Sequence, residues 1–269
     1  MRAILWLATL PLLAACSEQR SSPETTTAPA VPATAPAAAI PVDADNVVRV
    51  QDLPLNQLPA GVPRQPGRVL ELKQWTDQNG LNLLVLTRTP VRDDPPQPDG
   101  PEEAQSVDMY ARQYVQRAGQ RQWQELWHLQ DGVAGCPFDL GLGPVPGATS
   151  VTDLDADGLT ETTLLYSLTC TSDVSPATLK LILHEGKAKY ALRGYTVVQY
   201  DSIPASERRP ANACCLDTIS AARLEEHYEL FGGRYENEKD FRKAPPAFLR
   251  FARQEWQRWS VRGNTLEEL

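Results

Sequence analysis

Between residues 68 and 200 the apolar residues fall into eight short runs, each followed within a few positions by Gly, Pro, Asn or Asp. Runs of that length bury their side chains by pairing as strands, because none continues long enough to form a helix with an apolar face. RVLELKQW (68–75) and LNLLVLTRT (81–89) flank TDQNG, whose Asn79-Gly80 pair signals a tight hairpin turn. The proline- and acid-rich PVRDDPPQPDGPEE reads as a loop, and SVDMYARQYVQ (106–116) and QWQELWHLQD (122–131) complete a first group of four. After the connection GLGPVPGA the pattern recurs as SVTDL (150–154), LTETTLLYSLT (159–169), ATLKLILHEG (177–186) and KYALRGYTVVQY (189–200). The expected fold is mainly β: antiparallel sheets built from two four-stranded, propeller-blade-like units.

A faint repeat supports that division. WTDQNGLN (75–82) stands in the first group where VTDLDADGLTE (151–161) stands in the second, two residues shorter and with fewer acids. Beyond residue 200 the period changes. LDTISAARLEEHYELF (216–231) carries apolar residues at helical spacing, with Gly232-Gly233 to stop it. APPAFLRFARQEWQRWS (244–260) opens on prolines, which a first helical turn tolerates, and sets Phe248, Phe251, Ala252, Trp256 and Trp259 on one side. That stripe is expected to cover a sheet.

The acidic stretch holds the clearest chemistry. Asp153, Asp155 and Asp157 occupy alternate positions, Gly158 follows, and Glu161 closes the run. Like charges so close repel, and a hard cation taking six to eight oxygens resolves the repulsion. Counting Asp153 as position one, carboxylates fall at one, three, five and nine, the Leu159 carbonyl at seven and the turn-permitting glycine at six. An EF-hand needs an acid at position twelve between two helices, but Leu164 stands there and the flanks read as strands. The stretch looks like the nine-residue calcium loop of FG-GAP and VCBS-type repeats, which lies between strands. Calcium in a structural role is the expected cofactor.

Over residues 68–260 the order WTDQNGLN, Cys136-Pro-Phe-Asp, DLDADGLTE, Cys170, SPATLK and the Ala-Pro-Pro-Ala-Phe helix with Trp256 resembles a poorly characterised family of bacterial cell-surface proteins. Its members tend to be labelled surface polysaccharide biosynthesis proteins. The resemblance implies an envelope role and identifies no reaction.

The start of the chain agrees with such a place. Met1-Arg2 and the apolar AILWLATLPLLAA have the charge and length of a signal peptide. Leu13-Ala14-Ala15-Cys16 looks like the lipobox of bacterial lipoproteins, which makes Cys16 the acylated new N-terminus. Ser17 after the cysteine favours, by the same resemblance, the outer membrane of a Gram-negative cell, with the domain in the periplasm or at the surface. Residues 1–15 are then the signal peptide, 16–66 the lipidated cysteine and a Pro/Ala-rich tether, and 67–269 a single β-rich domain with a helical C-terminal part. Nine of the 23 prolines lie between Ser17 and Gly67, too poor in large apolar residues to offset ordering entropy except near VVRVQDLPLNQL. In an exported chain Cys136, Cys170, Cys214 and Cys215 are disulfide candidates. Cys136–Cys170 with a vicinal Cys214–Cys215 pair is favoured, since the first two flank the acidic stretch; crossed pairs are the alternative.

A net charge of −8 argues against nucleic acid as a partner. His128, His184 and His227 are scattered, and HExxH, Gly-x-Ser-x-Gly and a glycine-rich phosphate loop are missing. The expectation is a non-catalytic envelope protein, membrane-bound through its acyl anchor, that contacts another envelope protein or polysaccharide. Two alternatives stay open. One is a glycan- or protein-binding module with Tyr110, Tyr114, Trp123 and Trp127 as an aromatic platform. The other is an envelope hydrolase whose carboxylates meet only in the fold.

Overall fold

The computed structural model describes residues 48–96, 98, 100–101, 103–172, 175–198 and 209–261. The expected signal peptide, the acylated Cys16 and the tether as far as residue 47 lie outside the described residues.

Two antiparallel sheets make up the body. The first contains β1 (Gln51–Asp52), β2 (Arg68–Asp77), β3 (Gly80–Arg88), β4 (Arg92–Asp93), β5 (Gln105–Gln116) and β6 (Gln124–Cys136). Its centre is the meander β2-β3-β5-β6, with β1 beside β2 and β4 beside β5. The second contains β7 (Asp139–Pro144), β8 (Ser150–Thr152), β9 (Glu161–Thr171), β10 (Thr178–Glu185) and β11 (Ala188–Tyr195). Here β8-β9-β10-β11 is the matching meander. The eight runs read from the sequence are thus the strands of two four-stranded units.

The cores alternate with the sheets. Trp75, Leu84, Met109 and Trp127 of the first sheet meet Leu164, Tyr166, Ile182 and Ala191 of the second in the central layer. Leu72, Leu83, Val85 and Tyr114 point the other way, where Leu53, Leu58, Val62 and Trp123 cover them. Because β3 has a core on each face, Leu83 to Leu86 are all buried, and the period-two alternation is lost there. Leu179, Leu181, Leu183 and Leu192 of the second sheet face α2 (Pro246–Trp259), through Phe248, Ala252, Trp256 and Trp259. The expected stripe therefore covers a sheet, with Phe251 at its margin. Val48, the first described residue, is already 3% exposed and donates its amide to the Val151 carbonyl, ahead of the boundary expected at residue 67.

Three local expectations are corrected. The connection 139–144 is a strand, because β8 pairs only with the first three residues of β9 and leaves residues 166–171 an open edge that β7 fills. Residues 216–231 do not make one helix. After a single turn at Leu216–Thr218 the chain is extended at Ile219 and Ser220 (ψ 134° and 147°), so α-helical bonding starts only at the Ser220 cap and gives the short α1 (Ala221–Glu226), which ends where His227 leaves helical geometry at φ −132°. The last strand stops at Tyr195, since the amides of Thr196 and Val197 turn to Ala177 and Ser260. The described residues belong to one compact unit, and no helix among them is long and apolar enough to cross a membrane.

Candidate metal centre

The acidic loop is the turn of the β8–β9 hairpin. Pairing of Ser150, Val151 and Thr152 with Thr163, Thr162 and Glu161 makes Glu161 the first residue of β9, opposite Thr152. Between them the chain reverses through two positions in the left-handed region, Ala156 at φ 59° and Gly158 at φ 85°. Glycine suits the φ of Gly158, and a β-carbon there would displace the Gln78 side chain packed on it.

Gln78 belongs to the β2–β3 turn, the counterpart of the acidic loop in the faint repeat, and the two turns dock on each other. The Gln78 amide donates to the Gly158 carbonyl at 3.0 Å. Asp77, 8% exposed, accepts from the Thr160 hydroxyl at 2.8 Å and its amide at 3.3 Å. The Trp75 indole N–H then donates to the same Thr160 hydroxyl at 2.8 Å. One Thr-Asp turn has thus become a brace for the other, which keeps the acids.

Docking fixes where the carboxylates point. Oxygens of Asp153, Asp155 and Glu161 lie within 4.8 Å of one another, and so do oxygens of Asp155, Asp157 and Glu185. Glu161 is fully buried: its Oε2 accepts from the Thr152 hydroxyl at 2.8 Å and the Leu154 amide at 2.9 Å, while Oε1 meets no protein donor. Asp153 is 7% exposed and its Oδ1 likewise lacks a protein donor. Asp157 accepts the Leu159 amide at 2.7 Å, which shapes the tip of the loop. Of the acids expected from the sequence, Asp153, Asp155 and Glu161 meet in one group, whereas Asp157 meets Asp155 in the other, with Leu159 bonded to it.

Glu185 escaped the sequence reading. It ends β10, where it sits opposite Glu161 across the strand pair. Two acids in register on neighbouring strands repel, and aligning ATLKLILHEG with LTETTLLYSLT as a hairpin would have exposed the pairing. Burial pushes the Glu161 carboxyl up to about 8, with the Leu154 amide and the Thr152 hydroxyl opposing the shift. Asp153 is also raised, first by burial and then by Asp157 and Asp155, while the Gly158 and Asp157 amides oppose it. Glu185 is raised by burial and by the charges of Asp155, Asp157 and Asp153. Among the described residues no Lys or Arg forms an ion pair with any of the five. All-oxygen, anionic and short of donors, such a cluster suits a hard divalent cation.

The aromatic platform does not form. Tyr114 is 2% exposed in the outer core, and Trp127 is 6% exposed in the central one, stacked on His184 at 4.1 Å between ring centres. Trp123 packs with Tyr114 instead, although a four-residue step should place it on the face of Trp127. A bulge between the Tyr114–Glu125 and Gln113–Trp127 pairs inserts one residue and reverses the parity. Tyr110 is half-buried on β5. His128 and His227 lie exposed against Glu125 and Glu229, and burial lowers His184 to about 4.

Cys136 and Cys170 form a disulfide with Cα atoms 5.7 Å apart, and Cys214 is joined to Cys215. The first tethers the end of β6 to β9, the strand that Glu161 begins. Beside it a cleft of about 750 Å³ opens among Asp93, Asp94, Glu103, Phe138 and Asp139. No family model, curated protein or solved structure matches the chain.

Proposed function

We propose that this is a lipid-anchored cell-envelope protein whose β domain is braced by calcium and which acts without catalysis, through contacts with envelope proteins or polysaccharide. One observation carries the calcium reading: two carboxylates, Asp153 and Glu161, are more than nine-tenths buried with an oxygen each that no protein donor reaches, and both come within 4.8 Å of Asp155. Leaving an acid buried and unpaired costs several kcal/mol, and a cation removes that cost. Asp153, Asp155, Asp157, the Leu159 carbonyl and Glu161 are the proposed ligands.

A bracing role follows from where the loop sits. It joins β8 to β9 and carries the docked β2–β3 turn, so a cation there fastens one sheet to the other. Ligands crowded along one short loop saturate an ion, whereas a catalytic metal keeps a position open. The anchor rests on Leu13-Ala14-Ala15-Cys16, and the polysaccharide connection rests on the family resemblance.

The test is thermal unfolding of the purified protein in detergent, first in chelator and then in millimolar calcium. At a hundredfold excess over Kd a native-state ligand adds about 2.7 kcal/mol, or roughly 5–10 °C for a domain of this size. Asp155→Ala should abolish the rise, and a wild-type Tm indifferent to calcium would overturn the reading. Cys16→Ser should separately abolish incorporation of labelled palmitate.

A further inference from the structure

The outward side of α2 runs against the charge of the whole chain. The chain carries 34 acids against 26 bases, yet this side of the helix holds none of the acids. Phe248, Ala252, Trp256 and Trp259 turn to the second sheet, while Arg250, Arg253, Gln254 and Arg258 stand exposed on the other side with Gln257 half-buried among them. Arg209 joins them from outside the helix. With Arg253, Gln254, Gln257 and Arg258 it lines a shallow cavity of about 490 Å³.

Two of the guanidinium groups are held in place. Arg253 donates to Glu238 from Nε at 2.7 Å and from Nη2 at 2.6 Å, and Arg258 lies 4.9 Å from the centre of the Trp259 ring. The neighbouring carboxylates sit lower. Side chains of Glu238 and Glu255 are 19% and 14% exposed, against 51% for Arg253 and 68% for Arg258, so the arginines reach solvent and the acids largely do not. Arg209 and Arg250 form no ion pair among the described residues. A planar guanidinium group matches a pair of phosphate oxygens, and three of them around one hollow suit an oxyanion. Acids of the first sheet do not cancel this field. The second sheet and the central core separate them from α2, layers pack about 10 Å apart, and physiological salt screens charge beyond about 8 Å.

We propose that the outward side of α2 docks on a membrane surface rich in anionic phospholipid, with a headgroup phosphate in the hollow formed by Arg209, Arg253 and Arg258. This rests on the lipid-anchor reading and adds an orientation to it. Residues 17–47, 31 in number, span at most about 110 Å between Cys16 and Val48. The domain therefore stays beside the bilayer, where headgroup phosphates are at high effective concentration. In the docked state α2 faces the lipid and the outer cover of the first sheet faces away.

Energy transfer from the acylated full chain in vesicles to a headgroup-labelled lipid tests the orientation. One fluorophore is placed on Pro246→Cys, exposed at the start of α2, and another, in a separate protein, on Leu55→Cys, exposed in the cover of the first sheet. Cys136, Cys170, Cys214 and Cys215 are paired, so the added thiol alone reacts. On mixed phosphatidylcholine and phosphatidylglycerol the Pro246→Cys label should show strong transfer that high salt abolishes, and the Leu55→Cys label weak transfer. On phosphatidylcholine alone both should be weak. Each arginine at an anionic surface is worth about fivefold in binding, so Arg209→Gln with Arg258→Gln should lower the docked-to-free ratio about 25-fold, and Arg250→Gln alone about fivefold should the double variant fail to fold by circular dichroism. Equal transfer from the two positions, or from Pro246→Cys on neutral and anionic vesicles alike, would overturn the docking. Unchanged transfer in the folded variants would overturn the roles of these arginines. Absent transfer on anionic vesicles, with a Pro246→Cys label that responds to polygalacturonate, would give the surface to an acidic polysaccharide and overturn the membrane assignment. A protein that fails to float with phosphatidylcholine vesicles would overturn the anchor reading and the docking with it, whereas floating without transfer overturns the docking alone.

Discussion

Replacing Glu161 by glutamine should raise stability without calcium and lose most of that advantage with it. The cation-free fold keeps this carboxyl buried and raises it from its ordinary 4.5 to about 8. A group raised in the folded state contributes its full stability below the unfolded value and loses it as pH climbs toward the folded one. At pH 7 the unfolded side chain is ionised and the folded one mostly protonated, a gap of about 2.5 units, or roughly 3 kcal/mol at 1.36 kcal/mol per unit. Glu161→Gln removes that penalty. Its amide oxygen still accepts from the Thr152 hydroxyl and the Leu154 amide, and its NH2 takes the place of the unpaired Oε1. In chelator the variant should therefore melt about 6–12 °C above wild type at pH 7, and the difference should shrink as pH falls toward 4.5. In millimolar calcium the gap should largely close, because wild type gains a charged ligand that the variant lacks. Differential scanning fluorimetry at pH 5, 6 and 7 in both buffers reads the effect. A variant that melts below wild type in chelator, or gains as much from calcium as wild type does, would refute the reasoning.

Other contacts give equally definite expectations. Asp131 on the first sheet accepts from Lys180 at 2.6 Å and Tyr166 at 2.7 Å on the second, and although burial opposes its charge these partners hold its carboxyl below the usual range. Asp131→Asn should cost about 2 kcal/mol at pH 7 in urea unfolding, with the gap from wild type closing below pH 4 as the native carboxylate is lost. Cys136→Ser should lower stability by about 3–4 kcal/mol, the chain-entropy value for a closure spanning 34 residues, and reductant should then have much less effect on the variant. Trp256 is fully buried and donates to the Gly233 carbonyl at 2.9 Å, so Trp256→Ala should cost about 3–5 kcal/mol in the same assay.

The residue pattern alone determined the eight strands, their grouping into two meanders, the apolar stripe of the last helix and the meeting of Asp153, Asp155 and Glu161. Each of these depends on spacing along one element, where a period of two or 3.6 decides which side chains share a face. Tertiary structure decided what meets across elements. Glu185 joins the acids because strand register sets it beside Glu161, 24 positions away. Asp77 became a brace because one turn docks on another, and Trp127 left the face of Trp123 because a single bulged residue reversed the alternation. The segment 216–231 carries helical spacing from end to end, yet the chain is extended at Ile219 and Ser220 and leaves helical geometry again at His227, while Leu216 and Asp217 bond to Tyr235 and Glu236, partners outside any local window. Local periodicity fixes the direction of a side chain within its own element, while its partner is fixed by register and docking, which depend on the free energy of the whole fold.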